Sequence, residues 1–410
     1  MRRINIVLTL VACLGLTATP VFSQSANNLD DKLDALQSIN AITTSVPFLL
    51  ISPDSRAGGM GDVGVASSPD ANSMHWNPAK YALMDKDKDF GASISYVPWL
   101  RQLVTDVNMA YISGFYRVND DQVLASSLRY FSLGNMVFTD NQGNETYQFR
   151  PMEAAFDVAF SQKLGENFGG AMALRYIFSN LTGGYDVNGQ SSQPGKSIAA
   201  DIAGFYSREI RLGDYDSDLN FGLNISNMGA KISYSDSQER NFIPINMRFG
   251  AGLNLHIDEY NSFGIYADVN KLLVPSPPIY ETDAQGNYVY DPITNEPIIQ
   301  AGKNPNVPVP VGMINSFSDA PGGFQEELRE YLWSTGVEYW YAGQFALRGG
   351  YFHEHATKGN RKYFTLGAGL KYNIVNLDFS YLIPTSQNNP LQNTLRFSIV
   401  FDFQAKSSGE

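Results

Sequence analysis

From about residue 89 onward, apolar and polar side chains alternate along the chain, most cleanly in its second half. Leu219, Phe221, Leu223 and Ile225 share one parity, and Asn220, Gly222, Asn224 and Ser226 share the other. Met247, Phe249, Ala251, Leu253 and Leu255 stand likewise against Arg248, Gly250, Gly252 and Asn254. Phe364, Leu366, Ala368 and Leu370 oppose Thr365, Gly367, Gly369 and Lys371, and Leu395, Phe397, Ile399, Phe401 and Phe403 oppose Arg396, Ser398 and Asp402. A period of two marks a strand with one apolar and one polar face. The rule predicts about fourteen strands, at 89–98, 104–118, 122–133, 152–162, 167–180, 196–210, 217–228, 243–257, 262–274, 330–341, 344–355, 362–373, 375–384 and 392–403.

Soluble antiparallel sandwiches alternate as well. Here the strands run near the ~9–11 residues that a tilted transmembrane strand needs. Arg, Asp, Lys and Asn stand mid-strand on the polar face, where a dry core would leave them unpaired and a polar lumen accepts them. The last strand ends on Phe401 and Phe403, similar to the C-terminal aromatic signature of bacterial outer-membrane barrels, before a polar tail at 404–410. The expected fold is all-β: a transmembrane antiparallel barrel of about fourteen strands over 89–403. Leu223 and Phe397 are expected to face lipid, and Asn224 the lumen. The connections at Asn119–Asp121, Gly165–Glu166, Asp258–Glu259, Ala342–Gly343 and Ile374 are short, whereas those around 134–151, 181–195, 230–242, 273–329, 356–361 and 385–391 are mostly longer. Short turns face the periplasm and long loops the outside, and counting from a periplasmic start puts every longer segment outside.

The first residues change the picture of compartment. Arg2 and Arg3 precede an apolar run from Ile4 to Leu16, and Val21-Phe22-Ser23 offers a cleavage site, so 1–23 reads as a signal peptide. Cys13, the one cysteine, sits in a lipobox-like Leu10-Val11-Ala12-Cys13, but apolar residues follow it where a lipidated cysteine starts a polar tether. Cleavage after Ser23 leaves no cysteine, which excludes disulfides, thiol nucleophiles and thiolate metal sites. It also removes two positive charges and no negative ones, so the formal charge of −12 becomes −14. That argues against nucleic acid as a partner.

Two regions lie outside the alternation. Residues 24–88 open with a predicted amphipathic helix carrying Leu29, Leu33, Leu36 and Ile39, followed by Ser55-Arg56-Ala57-Gly58-Gly59-Met60-Gly61-Asp62. Residues 273–329 are rich in proline, and Phe324–Leu332 reads as a short helix leading into the tenth strand. So long a stretch without periodicity is either functional or disordered.

Ala57-Gly58-Gly59-Met60-Gly61 with Ser73-Met74-His75-Trp76-Asn77-Pro78-Ala79 resembles the N-terminal hatch of FadL-type barrels. The strings Asp268–Pro275, Asp319–Leu328 and Gly359–Phe364 resemble one branch, the PorV (LptO) family of the Bacteroidetes type IX secretion system. The resemblance spans essentially the whole mature chain. It implies a fourteen-stranded outer-membrane barrel whose hatch includes Gly58, Gly59, Gly61, Asn77 and Pro78. It also implies a job: binding cargo proteins by their C-terminal signal domains, collecting them from the very large translocon barrel (SprA- or Sov-like), and delivering them to the attachment complex with its PorU-like sortase. Membrane lipid would be the remaining partner.

Gly58–Gly61 lacks the Gly-Lys-Ser/Thr ending of a phosphate loop and reads as a tight turn inside the barrel. Asn77-Pro78 reads as a fixed turn. His353 and His355 share a face but make only half a metal site, with Glu354 pointing away. His75 and His256 sit in no nucleophile motif, so neither a catalytic residue nor a cofactor or metal site is expected. A FadL-like importer of hydrophobic small molecules is the alternative, and it predicts an apolar pocket in the lumen. A cargo carrier instead predicts binding groups on the outer loops, with Tyr280, Tyr288, Tyr290, Ile298 and Phe324 of segment 273–329 as candidates.

Overall fold

A computed structural model describes residues 39–139, 142–184, 192–235, 240–386 and 389–403. The signal peptide, Cys13, the helix expected from Leu29 and the tail at 404–410 lie outside the described residues. The strands are β1 Phe90–Pro98, β2 Asn108–Asn119, β3 Gln122–Ser132, β4 Met136–Thr139, β5 Glu145–Phe149, β6 Met152–Lys163, β7 Phe168–Asn180, β8 Gly195–Leu212 and β9 Tyr215–Gly229. They continue with β10 Asn246–His256, β11 Asn261–Leu272, β12 Ile279–Tyr280, β13 Ile299–Ala301, β14 Leu332–Tyr341, β15 Phe345–His353, β16 Lys362–Tyr372, β17 Val375–Pro384 and β18 Leu395–Phe403. All but β4, β5, β12 and β13 join one closed antiparallel barrel of fourteen strands. It closes where β1 pairs with β18, Phe90 opposite Phe403 and Tyr96 opposite Phe397.

The alternation is inverted relative to a soluble protein. Phe221, Leu223, Phe249, Phe397 and Ile399 are exposed, while Asn220, Asn224, Arg248, Arg396 and Ser398 are buried. An apolar outside and a polar inside is the arrangement a lipid-spanning barrel requires. Three expected strand starts, at 104, 243 and 392, move by three or four residues. Residues 104–107 belong to the turn after β1, where Leu100 has a positive φ, and β10 begins only after Pro244, which has no N–H to give a ladder. Two small sheets that alternation did not show, β4–β5 and β12–β13, fold within the longer loops.

The chain's own N-terminal segment threads the lumen. Asn40 lies at the long-loop end, its N–H donating to Thr357 O at 2.9 Å. The chain then descends through a 3-10 turn at Pro47–Leu50, helix α1 (Ser55–Gly58), helix α2 (Ser73–Trp76) and a 3-10 turn at Pro78–Leu83. It reaches β1 at the short-turn end. Phe48 and Leu49 pack with Phe131, Ile177, Ile243 and Leu273 near the top. Met74, Tyr81 and Met84 pack with Phe115, Val123 and Ala159 lower down.

Candidate functional site

Two sites stand out: the seal between this hatch and the wall, and the cap over the long-loop end. Glycine makes the first possible. Gly336 and Gly350 face each other across β14 and β15, and a methyl group on Gly350 would overlap the backbone of Met60 and Gly61. Gly61, at φ 74, lies against the backbone of Tyr351, and Gly59 against Gly367. Gly58 lies under Arg396. The glycine run is thus buried backbone seated in a glycine groove, with no phosphate-loop geometry.

Asn77 is the second staple. Its Oδ1 accepts from Ala79 N at 3.0 Å, capping the turn that begins at Pro78. Its Nδ2 donates to Val65 O at 3.1 Å and to Gly204 O of β8 at 3.0 Å. Pro78 O accepts from Ser161 Oγ of β6 at 2.6 Å.

Between the two apolar clusters runs an ionic lattice. Arg56 grips Glu338 of β14 with two hydrogen bonds, Nε to Oε1 at 2.9 Å and Nη2 to Oε2 at 2.8 Å. Arg348 of β15 donates to Glu338 at 2.7 Å and to Asp378 of β17 at 2.6 Å. Arg396 of β18 pairs with Asp62 at 2.7 Å, and Asp268 of β11 accepts from Gly64 N and Val65 N at 2.8 and 3.0 Å. Arg175 bridges Asp157, Asp201 and Asn227 within the wall. His75 is walled in, its Nδ1 taken by Arg129 at 2.6 Å. Buried charges hold only when paired and hydrogen-bonded in this way.

The cap gathers the three strings that resemble the PorV branch. Lys271, at the long-loop end of β11, donates to Glu327 at 3.2 Å and Glu330 at 2.7 Å. Lys358 donates to Glu326 at 2.5 Å and Glu330 at 3.0 Å, and Arg361 grips Glu354 at 2.8 Å. Ser276 Oγ donates to Glu330 at 2.5 Å, and Ser276 N to Asp319 at 3.3 Å. Burial pushes Asp319 up to about 6, with Glu327 and Glu330 adding to the effect. Against the cost of burial, the Lys358 ammonium and the Gly322 N–H hold Glu326 below the usual carboxylate range. Sequence reading found these strings by resemblance only, because their charged members are up to ~90 positions apart in the chain.

On this base stand helix α3 (Val309–Asn315), helix α4 (Phe324–Arg329) and the β12–β13 pair. Of the predicted contact residues, Phe324, Tyr288 and Tyr290 are exposed, while Tyr280 and Ile298 are half-buried, Tyr280 edge-on to Tyr288. Ile293 and Ile314 are more exposed than either tyrosine, and no sequence pattern marks Ile314. His353 stacks on Trp333 at 4.8 Å, and His355 lies beyond the strand end with its Nδ1 against Thr357, so the two do not converge.

Solved structures that the chain is similar to are barrels. The Pseudomonas putida toluene transporter TodX is 13% identical, with 87% of this chain and 99% of that one covered at a TM-score of 0.48. The Ralstonia pickettii toluene transporter TbuX is 10% identical, with 86% and 98% covered at 0.46. A Pseudomonas aeruginosa FadL homologue is 12% identical, with 89% and 100% covered at 0.43. At such distances the likeness says nothing of what this chain binds. No curated protein matches it. The family model for the type IX secretion system protein PorV matches residues 34–279 of the 410, which carries the outer wall from β1 through β11 as well as most of the hatch. This outer-membrane barrel belongs to the PorV family of type IX secretion system proteins.

Proposed function

We propose that this protein is the cargo carrier of type IX secretion: it binds C-terminal signal domains at its outer cap and moves them from the translocon barrel to the sortase-bearing attachment complex. The observation that carries the reading is the uncovered apolar surface of the cap. Ile293, Phe324 and Ile314 are 92%, 77% and 73% exposed on segments beyond the barrel wall. Apolar groups there have neither lipid to face nor a core to join, and such patches mark interaction sites. Tyr288 and Tyr290 add amphipathic contacts. The half-buried Tyr280 and Ile298 support the base of the same surface. The hatch residues Gly58, Gly59, Gly61, Asn77 and Pro78 serve as the plug that keeps the wall rigid. No catalytic step belongs to this role.

The importer reading needs room in the lumen. Between the upper hatch and the wall lies a cavity of about 410 Å³ lined by Leu50, Ile51, Asp62, Leu332, Tyr363 and Leu391, with about 60 Å³ more beside Trp76 and Arg248, so a small apolar ligand has room and the ligand recovered decides between the readings. A dry cavity that takes up benzene is about 150 Å³. The test is affinity purification of the tagged protein from membranes. The wild type should recover a very large barrel, a sortase-like protein or C-terminal signal domains, and Ile314→Asp with Phe324→Asp should lose them while the barrel stays folded. Unchanged recovery by that variant refutes the cap as the binding surface, and recovery of a lipid or fatty acid alone favours the importer.

A further inference from the structure

The cap also holds a charge imbalance. Asp319, Glu327 and Glu330 each present a carboxylate oxygen, and the three oxygens lie within 4.8 Å of one another. All three residues are buried. With Glu326 they make four carboxylates, against two ammonium groups in contact, Lys271 and Lys358. Hydrogen bonds account for most of the acceptor positions: Glu327 takes Ala320 N at 2.9 Å and Lys271, and Glu330 takes Ser276 Oγ, Lys271 and Lys358. Asp319 is the exception. Its side chain is 1% exposed, one oxygen accepts from Ser276 N, and Oδ1 has no hydrogen-bond partner among the described residues.

We infer that Asp319, Glu327 and Glu330 bind one divalent cation of the calcium class. An ion of charge two balances the two carboxylates that the lysines leave over. An all-oxygen donor set selects a hard cation. Calcium ligands sit ~2.3–2.6 Å from the ion, so two of them span up to about 5 Å, which matches the spread of these oxygens. Lys271 bridges Glu327 Oε2 and Glu330 Oε2 and keeps these contacts, the ion meeting the second lone pairs of the carboxylate oxygens beside the free Oδ1 of Asp319. The consequence is mechanical. Asp319 follows α3, the two glutamates stand on and just after α4, and the lysines come from β11 and the β15–β16 loop. One ion would tie these segments into a single rigid support for the exposed apolar groups above it. Binding itself does not depend on the cargo reading.

The experiment uses the full chain, purified in detergent and freed of metal by chelation, with terbium as the probe. Tyr331, whose ring lies 5.1 Å from Lys271 Nζ, is placed to sensitise terbium emission. Emission should saturate at one equivalent, be competed by calcium at roughly 0.1–1 mM as in extracellular modules, and weaken at least tenfold in Asp319→Asn. Asp291→Asn, in an exposed turn of the same loop, should bind like the wild type. Should Asp319→Asn fail to fold, proteolysis of the wild type at 319–331 decides, with protection expected in calcium and lost in chelator. No saturable emission from folded protein, equal binding by Asp319→Asn, or protection unchanged by chelator would each overturn the inference.

Discussion

At the scale of single residues, the same parity that faces a strand toward lipid or lumen has unequal consequences on the two sides. Leu223 is exposed on the wall, so Leu223→Arg should cost ~2–4 kcal/mol near the bilayer midplane, read from reversible unfolding in bilayers. Asn224 does not face an open lumen: it is buried and donates to Trp76 O at 2.9 Å. Asn224→Ala should therefore leave the wall intact and loosen the hatch, seen as faster amide exchange around Trp76. Gly350 is the sharper case. Gly350→Val puts side-chain atoms where Met60 and Gly61 lie, and overpacking of this kind costs ~1–3 kcal/mol. The expected outcome is a folded barrel with an unseated hatch, measured as raised conductance in planar bilayers, and wild-type conductance would show that the hatch can yield. Glu338 serves two guanidiniums, so Glu338→Gln should destabilise the hatch, by less than the ~3–5 kcal/mol of a fully broken buried pair, because Asp70 still meets Arg56 and Asp378 still meets Arg348.

At the scale of elements, strands were legible and loop architecture was not. Alternation located every barrel strand, because facing lipid on one side and polar groups on the other is a local demand repeated every second residue. The helix at Phe324–Arg329 was also legible, whereas β12–β13 pairs only two or three residues a side and leaves no periodic trace. That pair is also separable. Replacing 282–297 by a short Gly-Ser linker removes Tyr288, Tyr290 and Ile293 but leaves the Lys271 and Lys358 contacts in place. Loop closure depends weakly on length, so the barrel should fold with little change in stability. Under the carrier reading, partner recovery falls; full recovery would move the contact to α3 and α4.

At the scale of the whole molecule, the course of the hatch decides which parts meet. The segment from Asn40 enters at the long-loop end and leaves at the short-turn end, where Lys86 pairs with Asp120 at 2.6 Å. Cysteines at Thr43 or Asn144 should accordingly label in intact cells with a membrane-impermeant reagent, and one at Asp120 should not. Labelling at Asp120 with silence at Asn144 would reverse the orientation.

The sequence by itself determined the strand count, the face of each side chain and the identity of the family, since all three rest on short-range spacing or contiguous strings. Tertiary structure alone decided that the polar face meets protein and not open water, that Arg56 finds Glu338 and Asp62 finds Arg396 across 282 and 334 positions, and that three distant strings converge on one cap. The physical reason is closure. A strand's faces are set by its own solvent, one residue at a time, whereas which polar groups share the interior depends on how fourteen strands are staggered around a single axis and on what threads between them.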